Sequence, residues 1–215
     1  MRVKYITDAI DMASSNLLQI AGKIRKAWYT MSRKATITQK EIINAAFKIT
    51  RKEGFEQITS RRLAAAAGCS TQPIFRIYEN MDALKKDVYE KAASYYEEYY
   101  ADYVKTHDTP FIDLGMAYIN FARKYPHLFR LLFLSDHSQN AKSMYDLING
   151  SSDEVVAEIK RAAGKGAHNP DQLFMKMWIY IHGAGCMAVT GDYDLEDTDT
   201  VNMLESAYSS FSKAE

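Results

Sequence analysis

Between Thr38 and Lys105 the sequence alternates helix-forming runs with residues that end one helix and begin the next, and this punctuation limits the possible folds more than any other feature. From Thr38 to Glu53 the apolar residues Ile42, Ala45, Ala46 and Ile49 recur at helical spacing, with Ile43 and Phe47 widening the stripe. Gly54 is placed to end that helix, and Phe55 to fold back as its apolar companion. Thr59 suits the N-cap of a short second helix through Arg61, Arg62, Leu63 and the alanines to Ala67, which Gly68 closes. Ser70 is the expected cap of a third helix, Thr71 to Tyr78. Pro73 then falls at its third position, where a missing N–H removes no intrahelical bond. Asn80 opens a fourth, tyrosine-rich helix from about Met81 to Lys105.

Strand signals are scarce throughout, so the expected class is all-α. Breaks at Thr109–Pro110, Tyr125–Pro126, Asn149–Gly150, Gly164 to Pro170 and Gly191 to Asp194 divide the remainder into further helices. The last two, Pro170–Thr190 and Leu195–Lys213, are long enough to pack as an antiparallel pair. Residues 1 to 30 fit this pattern poorly and leave two readings open. Met31-Ser32-Arg33-Lys34 resembles a natural start with a basic arm, or residues 1 to 30 form an N-terminal extension that adds a helix.

A formal net charge of zero conceals an asymmetry. Residues 31 to 86 carry eleven Lys/Arg against five Asp/Glu, whereas residues from 87 onward carry eleven against twenty. A basic head on an acidic body is expected where the head alone meets a polyanion. No apolar run approaches the roughly 20 residues of a bilayer-crossing helix, and a cytoplasmic protein without membrane contact is expected. Cys69 and Cys186 are far apart and match no metal or redox spacing. The five histidines, His107, His127, His137, His168 and His182, form no metal-ligand pairs, and phosphate-loop and nucleophile-elbow motifs are lacking. No enzyme activity, metal or cofactor is therefore expected.

Two short helices joined by a glycine-containing turn form a helix-turn-helix arrangement, whose second helix can lie in the major groove of DNA. Here Thr71, Gln72 and Pro73 head that helix. Gln can pair with adenine, and Thr and Pro can pack on a thymine methyl. Phe75 and Arg76 follow on the same helix, and Arg76 could read guanine or hold a phosphate. Thr59, Ser60 and Ser70 at helix starts, Lys85 on the fourth helix, and the Arg33–Lys34 arm complete the candidate DNA contacts.

The stretch "ITQKEIINAAFKITRKEGFEQITSRRLAAAAGCSTQPIFRIYENMDALKKDVYEKA" resembles the N-terminal domain of the TetR family of transcriptional regulators. It shares that family's order: an Ile-Ala-Ala-Phe helix, a Gly-Phe stop, an Ile-Thr cap, a Leu-Ala…Ala-Gly-x-Ser turn, then an aromatic pair and Asn before a helix opening with Leu. The DNA-facing residues depart from it. Gln72 stands where the family has a small residue, Phe75 where it has Tyr, Ile77 where it often has His, Tyr78 where it has Phe, and Met81 where it has Lys.

The resemblance implies a helix-turn-helix DNA-binding domain over 31–84 and a larger helical effector-binding and dimerisation domain over 85–215. It also implies a homodimer through the last two helices, a palindromic operator on double-stranded DNA, and release by a small-molecule effector, usually from repression. "FARKYPHLFRLLF" and "MWIYIHGAG", the latter with Gly183 and Gly185, resemble segments frequent in the family's C-terminal domains. Tyr89, Tyr96, Tyr100 and Tyr103 share one face of the fourth helix. With Phe121, Phe129, Met177, Trp178 and His182, the last three of these tyrosines are the candidate lining of an effector pocket for a small, largely apolar or aromatic molecule. An aromatic stripe of this kind also serves as plain core. The competing function is a helical adaptor that keeps the fold and binds little DNA.

Overall fold

The computed structural model describes residues 19–23, 37–135 and 153–213. Arg33, Lys34 and the Asn149–Gly150 break lie outside these. The chain divides into two compact units, Met1–Thr38 and Gln39–Glu215. In the first, residues 19–23 are helical and exposed. The second is built from helices α1 (Gln39–Glu53), α2 (Ser60–Ala66), α3 (Gln72–Ile77), α4 (Met81–Ala101), α5 (Ile112–Lys124), α6 (Pro126–Phe129), α7 (Asp153–Gly164), α8 (Pro170–Thr190) and α9 (Asp197–Lys213). The fold is all-α, with no strand among the described residues. No helix among them is long and apolar enough to cross a membrane.

The punctuation works as chemistry dictates. Gly54 adopts φ 108, a value that favours glycine, and its N–H returns to the Thr50 carbonyl. Phe55 then folds into the core. Thr59 caps α2 by accepting the Arg62 N–H at 3.3 Å. At the other end Gly68 donates to Ala65 and Cys69 to Ala64, so the two reversed bonds of a Schellman turn satisfy the last carbonyls.

Several boundaries shift by one or two residues from the sequence expectation, and two differences concern how a helix starts or ends. Ser70 does not cap α3: the helix starts at Gln72 after Thr71, whose carbonyl accepts from Ile74 and Phe75, and Pro73 sits in its first turn. The α4 helix ends at Ala101, short of Lys105. The chain beyond it is held by a distant carboxylate, since Asp113 on α5 accepts the backbone N–H groups of Thr106 (3.2 Å) and His107 (3.0 Å).

Helix α5 is the centre of the body. Nearly all of it is buried, and it packs against α4, α6, α8 and α9. Gly115 permits a close approach, since a Cβ there would stand 3.0 Å from side-chain carbons of both Ile181 on α8 and Leu204 on α9. Gly185 does the same on α8, where a Cβ would meet Phe129 and Tyr118 at 2.9 Å. After α6 the chain continues as a π-helical turn, Arg130–Leu134. Helices α8 and α9 pack on each other across the short Gly191–Glu196 connection, and α1 packs on α4 and α6.

Candidate nucleic-acid interface and effector site

Helix α3 has only six residues, too few to hold its shape alone, so tertiary anchors must fix it. Ile74 is fully buried and Tyr78, one turn later at the C-cap, is nearly so. With these two facing inward, Gln72, Phe75 and Arg76 face solvent, Phe75 at 49% exposure. Thr59 and Ser70 are also exposed, while Ser60, Thr71, Pro73 and Lys85 are half-buried. The surface thus offers an amide, an aromatic ring and a guanidinium from one face of a single helix, which suits the edges and methyl groups of a major groove.

The basic residues of this region are not equivalent. Arg62 is bound to Glu53 and Gln57, which ties α2 to the end of α1 and offsets the charge of that exposed guanidinium. Arg76 is engaged in no ion pair among the described residues. The Lys85 ammonium lies 5.5 Å from the centre of the Phe55 ring, an arrangement that orders the side chain without neutralising it. Neither contact is written in the spacing of the residues.

In the body, the structure gathers Tyr96, Phe121, Phe129, Trp178 and His182 around a residue the sequence reading missed, Tyr118. Its ring centre lies 4.9 Å from those of Phe129, Phe133 and Trp178, 6.0 Å from His182 and 6.4 Å from Tyr96. Tyr96 in turn meets the Phe121 and Phe133 rings edge-on. The Tyr118 hydroxyl and His182 Nδ1 are 2.8 Å apart, and His182 Nε2 lies 3.6 Å from Cys186 Sγ. Burial lowers the His182 pKa and pushes the Tyr118 pKa well above 10.0, so both are neutral at physiological pH. Met177 is fully buried on the same helix as Trp178.

Tyr100 and Tyr103 stand apart from this cluster. Tyr100 is buried beneath the Lys105 ammonium, 4.9 Å from its ring centre, and Tyr103 accepts a hydrogen bond from the Asn120 amide at 3.3 Å.

Several phenols are held protonated. Burial, aided by neighbouring phenols or carboxylates, pushes Tyr78, Tyr99 and Tyr100 from 10.0 up to about 12. A folded-state pKa above the unfolded value leaves stability untouched below pH 10.0 and removes it as the pH climbs towards about 12. Thermal melts through this range are expected to show a progressive fall in Tm that tracks tyrosinate absorbance. A Tm that stays level across that interval would contradict the burial of these hydroxyls.

Residues 111–211, from the residue before α5 through most of α9, match the family described as tetracyclin repressor-like, C-terminal domain. Residues 111–211 thus carry a TetR-like C-terminal domain. This match lies wholly in the body, whereas the sequence resemblance rests on the head, so the two halves point to one family independently. A TetR-like transcriptional regulator from Rhodococcus sp. RHA1 superposes with a TM-score of 0.54 at 14% identity, over 79% of this chain and 92% of that one. A transcriptional regulator from Rhodococcus sp. Rha1 gives 0.54 at 11% identity, over 83% and 97%. At these identities the superpositions establish the shared TetR fold. No curated protein matches the sequence. The match supports a role in transcriptional regulation.

Proposed function

We propose that this chain is a sequence-specific DNA-binding regulator, in the family's usual mode a repressor, that is released from its operator by a small molecule. The observation that carries the reading is α3. It holds Ile74 and Tyr78 inward and turns Gln72, Phe75 and Arg76 outward, directly after a capped, glycine-closed α2. Thr59, Ser60, Ser70, Thr71, Pro73 and Lys85 surround that face as phosphate or methyl contacts, with Arg33 and Lys34 as an arm.

The same reading divides the chain into a DNA-binding head, 31–84, and an effector-binding and dimerising body, 85–215, working in the cytoplasm. The dimer forms through α8 and α9. Support comes from their outward apolar residues, Ile179 at 64% exposure, Met187 at 47% and Met203 at 46%, and from open space around Gly183. Two such protomers about a two-fold axis set a pair of α3 helices roughly 34–36 Å apart and require a palindromic operator. The effector is a small, largely apolar molecule that meets Tyr96, Phe121, Phe129, Met177, Trp178 and His182 around Tyr118. Its preference for a dimer with a different head spacing lowers DNA affinity by the ratio of its affinities for the two forms. Helix α4, which leads from the head into the body, carries the change.

A helical adaptor with little DNA binding is the second reading, favoured by the apolar Ile77 and Met81, both half-buried beside the DNA-facing residues. Fluorescence anisotropy on the chain's own upstream DNA, against a scrambled duplex over a salt series, separates the two. Tight, sequence-dependent binding that weakens with salt is expected. Met81→Lys is expected to add one phosphate contact and steepen the log–log salt slope by about 0.9. Equal, weak binding to both duplexes would favour the adaptor.

A further inference from the structure

The corner between α3 and α4 holds a polar junction that the DNA contacts do not account for. Tyr78 donates its hydroxyl proton to Asp87 Oδ2 at 2.7 Å. The same oxygen accepts from Gln39 Nε2 at 3.0 Å. Tyr78 caps α3, Asp87 lies in the second turn of α4, and Gln39 is the first residue of α1. Three helices therefore converge on one carboxylate oxygen.

Geometry makes this junction more than packing. The buried Ile74 side chain anchors α3 through apolar contact, which resists withdrawal but is not directional. A charge-assisted hydrogen bond is short and directional, so it fixes the rotation of α3 about the Ile74 anchor. Tyr78 also returns its N–H to the Ile74 carbonyl at 2.9 Å, so its ring and the last turn of α3 move together. Only Glu79 and Asn80 separate Tyr78 from α4, and Asn80 is itself fixed as the α4 cap through the Ala83 N–H at 2.8 Å. The hydroxyl stays protonated because burial, then Asp87, pushes its pKa to about 12.

We propose that Tyr78, Asp87 and Gln39 form a positioning clasp that sets the angle of α3 against α4 and α1, the angle at which its exposed face meets a major groove. The proposal rests on the DNA-binding reading for its use, though not for its existence. It makes Tyr78 a positioning residue that never touches DNA, and it passes any displacement of the first turns of α4 directly to α3.

The test is Tyr78→Phe in the full chain, which removes one oxygen and keeps the ring. In the free protein, amide hydrogen exchange across α3 is expected to quicken about tenfold, the loss of a hydrogen bond to a charged group, while α5 and α8 keep their protection. Unchanged exchange across α3 would overturn the clasp. On upstream DNA, affinity is expected to fall about tenfold, with far less change on a scrambled duplex. Faster exchange with undiminished discrimination would overturn the positioning role. Asp87→Ala is expected to reproduce both effects, and the double variant to be no worse than either single one; additive losses would show that the two side chains act separately. If the unaltered chain fails to discriminate between duplexes, the regulator reading falls, and the exchange result alone decides whether the clasp holds α3.

Discussion

Glu158→Ala is expected to destabilise the body by about 3 kcal/mol, the lower end of the cost of breaking a buried charged pair. Glu158 is buried on α7 and reaches the loop that joins α4 to α5. One oxygen accepts the Phe111 N–H at 2.6 Å, and the other accepts from Arg161 Nη1 at 2.6 Å. Arg161 continues the network by donating to the carbonyls of His107 at 3.1 Å and Asp108 at 2.8 Å. Phe111 is fully buried at φ 68, a left-handed conformation that a bulky residue keeps only when its surroundings hold it there.

Removing the carboxylate would strand the Phe111 N–H and release Arg161. The half-buried guanidinium can regain some water, which is why the lower figure applies. The loop would then depend on the Asp113 carboxylate, which accepts from Thr106 and His107, and on the exposed Lys165–Asp108 pair. Urea unfolding should show the loss as a lower midpoint with an unchanged slope. A loss below about 1 kcal/mol, the centre of the range for point substitutions in general, would contradict the bridging role. Because this loop joins the proposed lever helix to the centre of the body, its loosening should also weaken coupling between effector and DNA.

Ile74→Ala is the second large effect, about 3 kcal/mol from the lost transfer energy and the cavity left behind. Ile74 is the fully buried anchor of α3. Its loss should melt this short helix selectively and abolish sequence-dependent DNA binding while α5 and α8 stay folded. Substitutions of Gln72, Phe75 or Arg76 provide the contrast. These side chains are exposed, so alanine there should change stability by no more than about 0.5 kcal/mol. Their cost should appear only in DNA affinity. If Ile74→Ala kept full discrimination, α3 could not be the reading element. Circular dichroism melts paired with anisotropy on the same samples make the comparison.

Local chemistry made much of the fold legible. Thr59 and Asn80 cap the helices they precede, and Gly54 and Gly68 sit at positive φ where the apolar stripes stop. These interactions span a few residues, so their signals are written in adjacent positions. Misreadings arose where a distant group intervened. The fourth helix stops at Ala101 rather than Lys105, and the chain beyond is held by Asp113, on the next helix, which takes the N–H groups of Thr106 and His107. The cap expected from Ser70 failed because the first intrahelical bonds, from Ile74 and Phe75, go to the Thr71 carbonyl, one residue later.

The candidate sites divide in the same way. That Gln72 and Arg76 face outward follows from the spacing of Ile74 and Tyr78. The engagement of Arg62 with Glu53 and Gln57 does not, because it depends on how α2 returns against α1. Tyr118 was invisible because α5 is buried almost all round and shows no distinctive face. Its partner His182 is on α8, and only tertiary packing brings the two within 2.8 Å. The tyrosines of α4 share a stripe, yet Tyr96 meets the Tyr118 cluster while Tyr100 lies beneath Lys105.

Hydroxyl-radical footprinting of the full chain on its own upstream DNA addresses α3 as a paired major-groove reader most directly. Two protected stretches on one face of the duplex are expected, centred about 10 base pairs apart and related by a dyad. Both should vanish together when Gln72 and Arg76 are replaced by alanine. Uniform protection along the duplex, or a footprint indifferent to those two replacements, would contradict the assignment of α3 as the element that reads DNA.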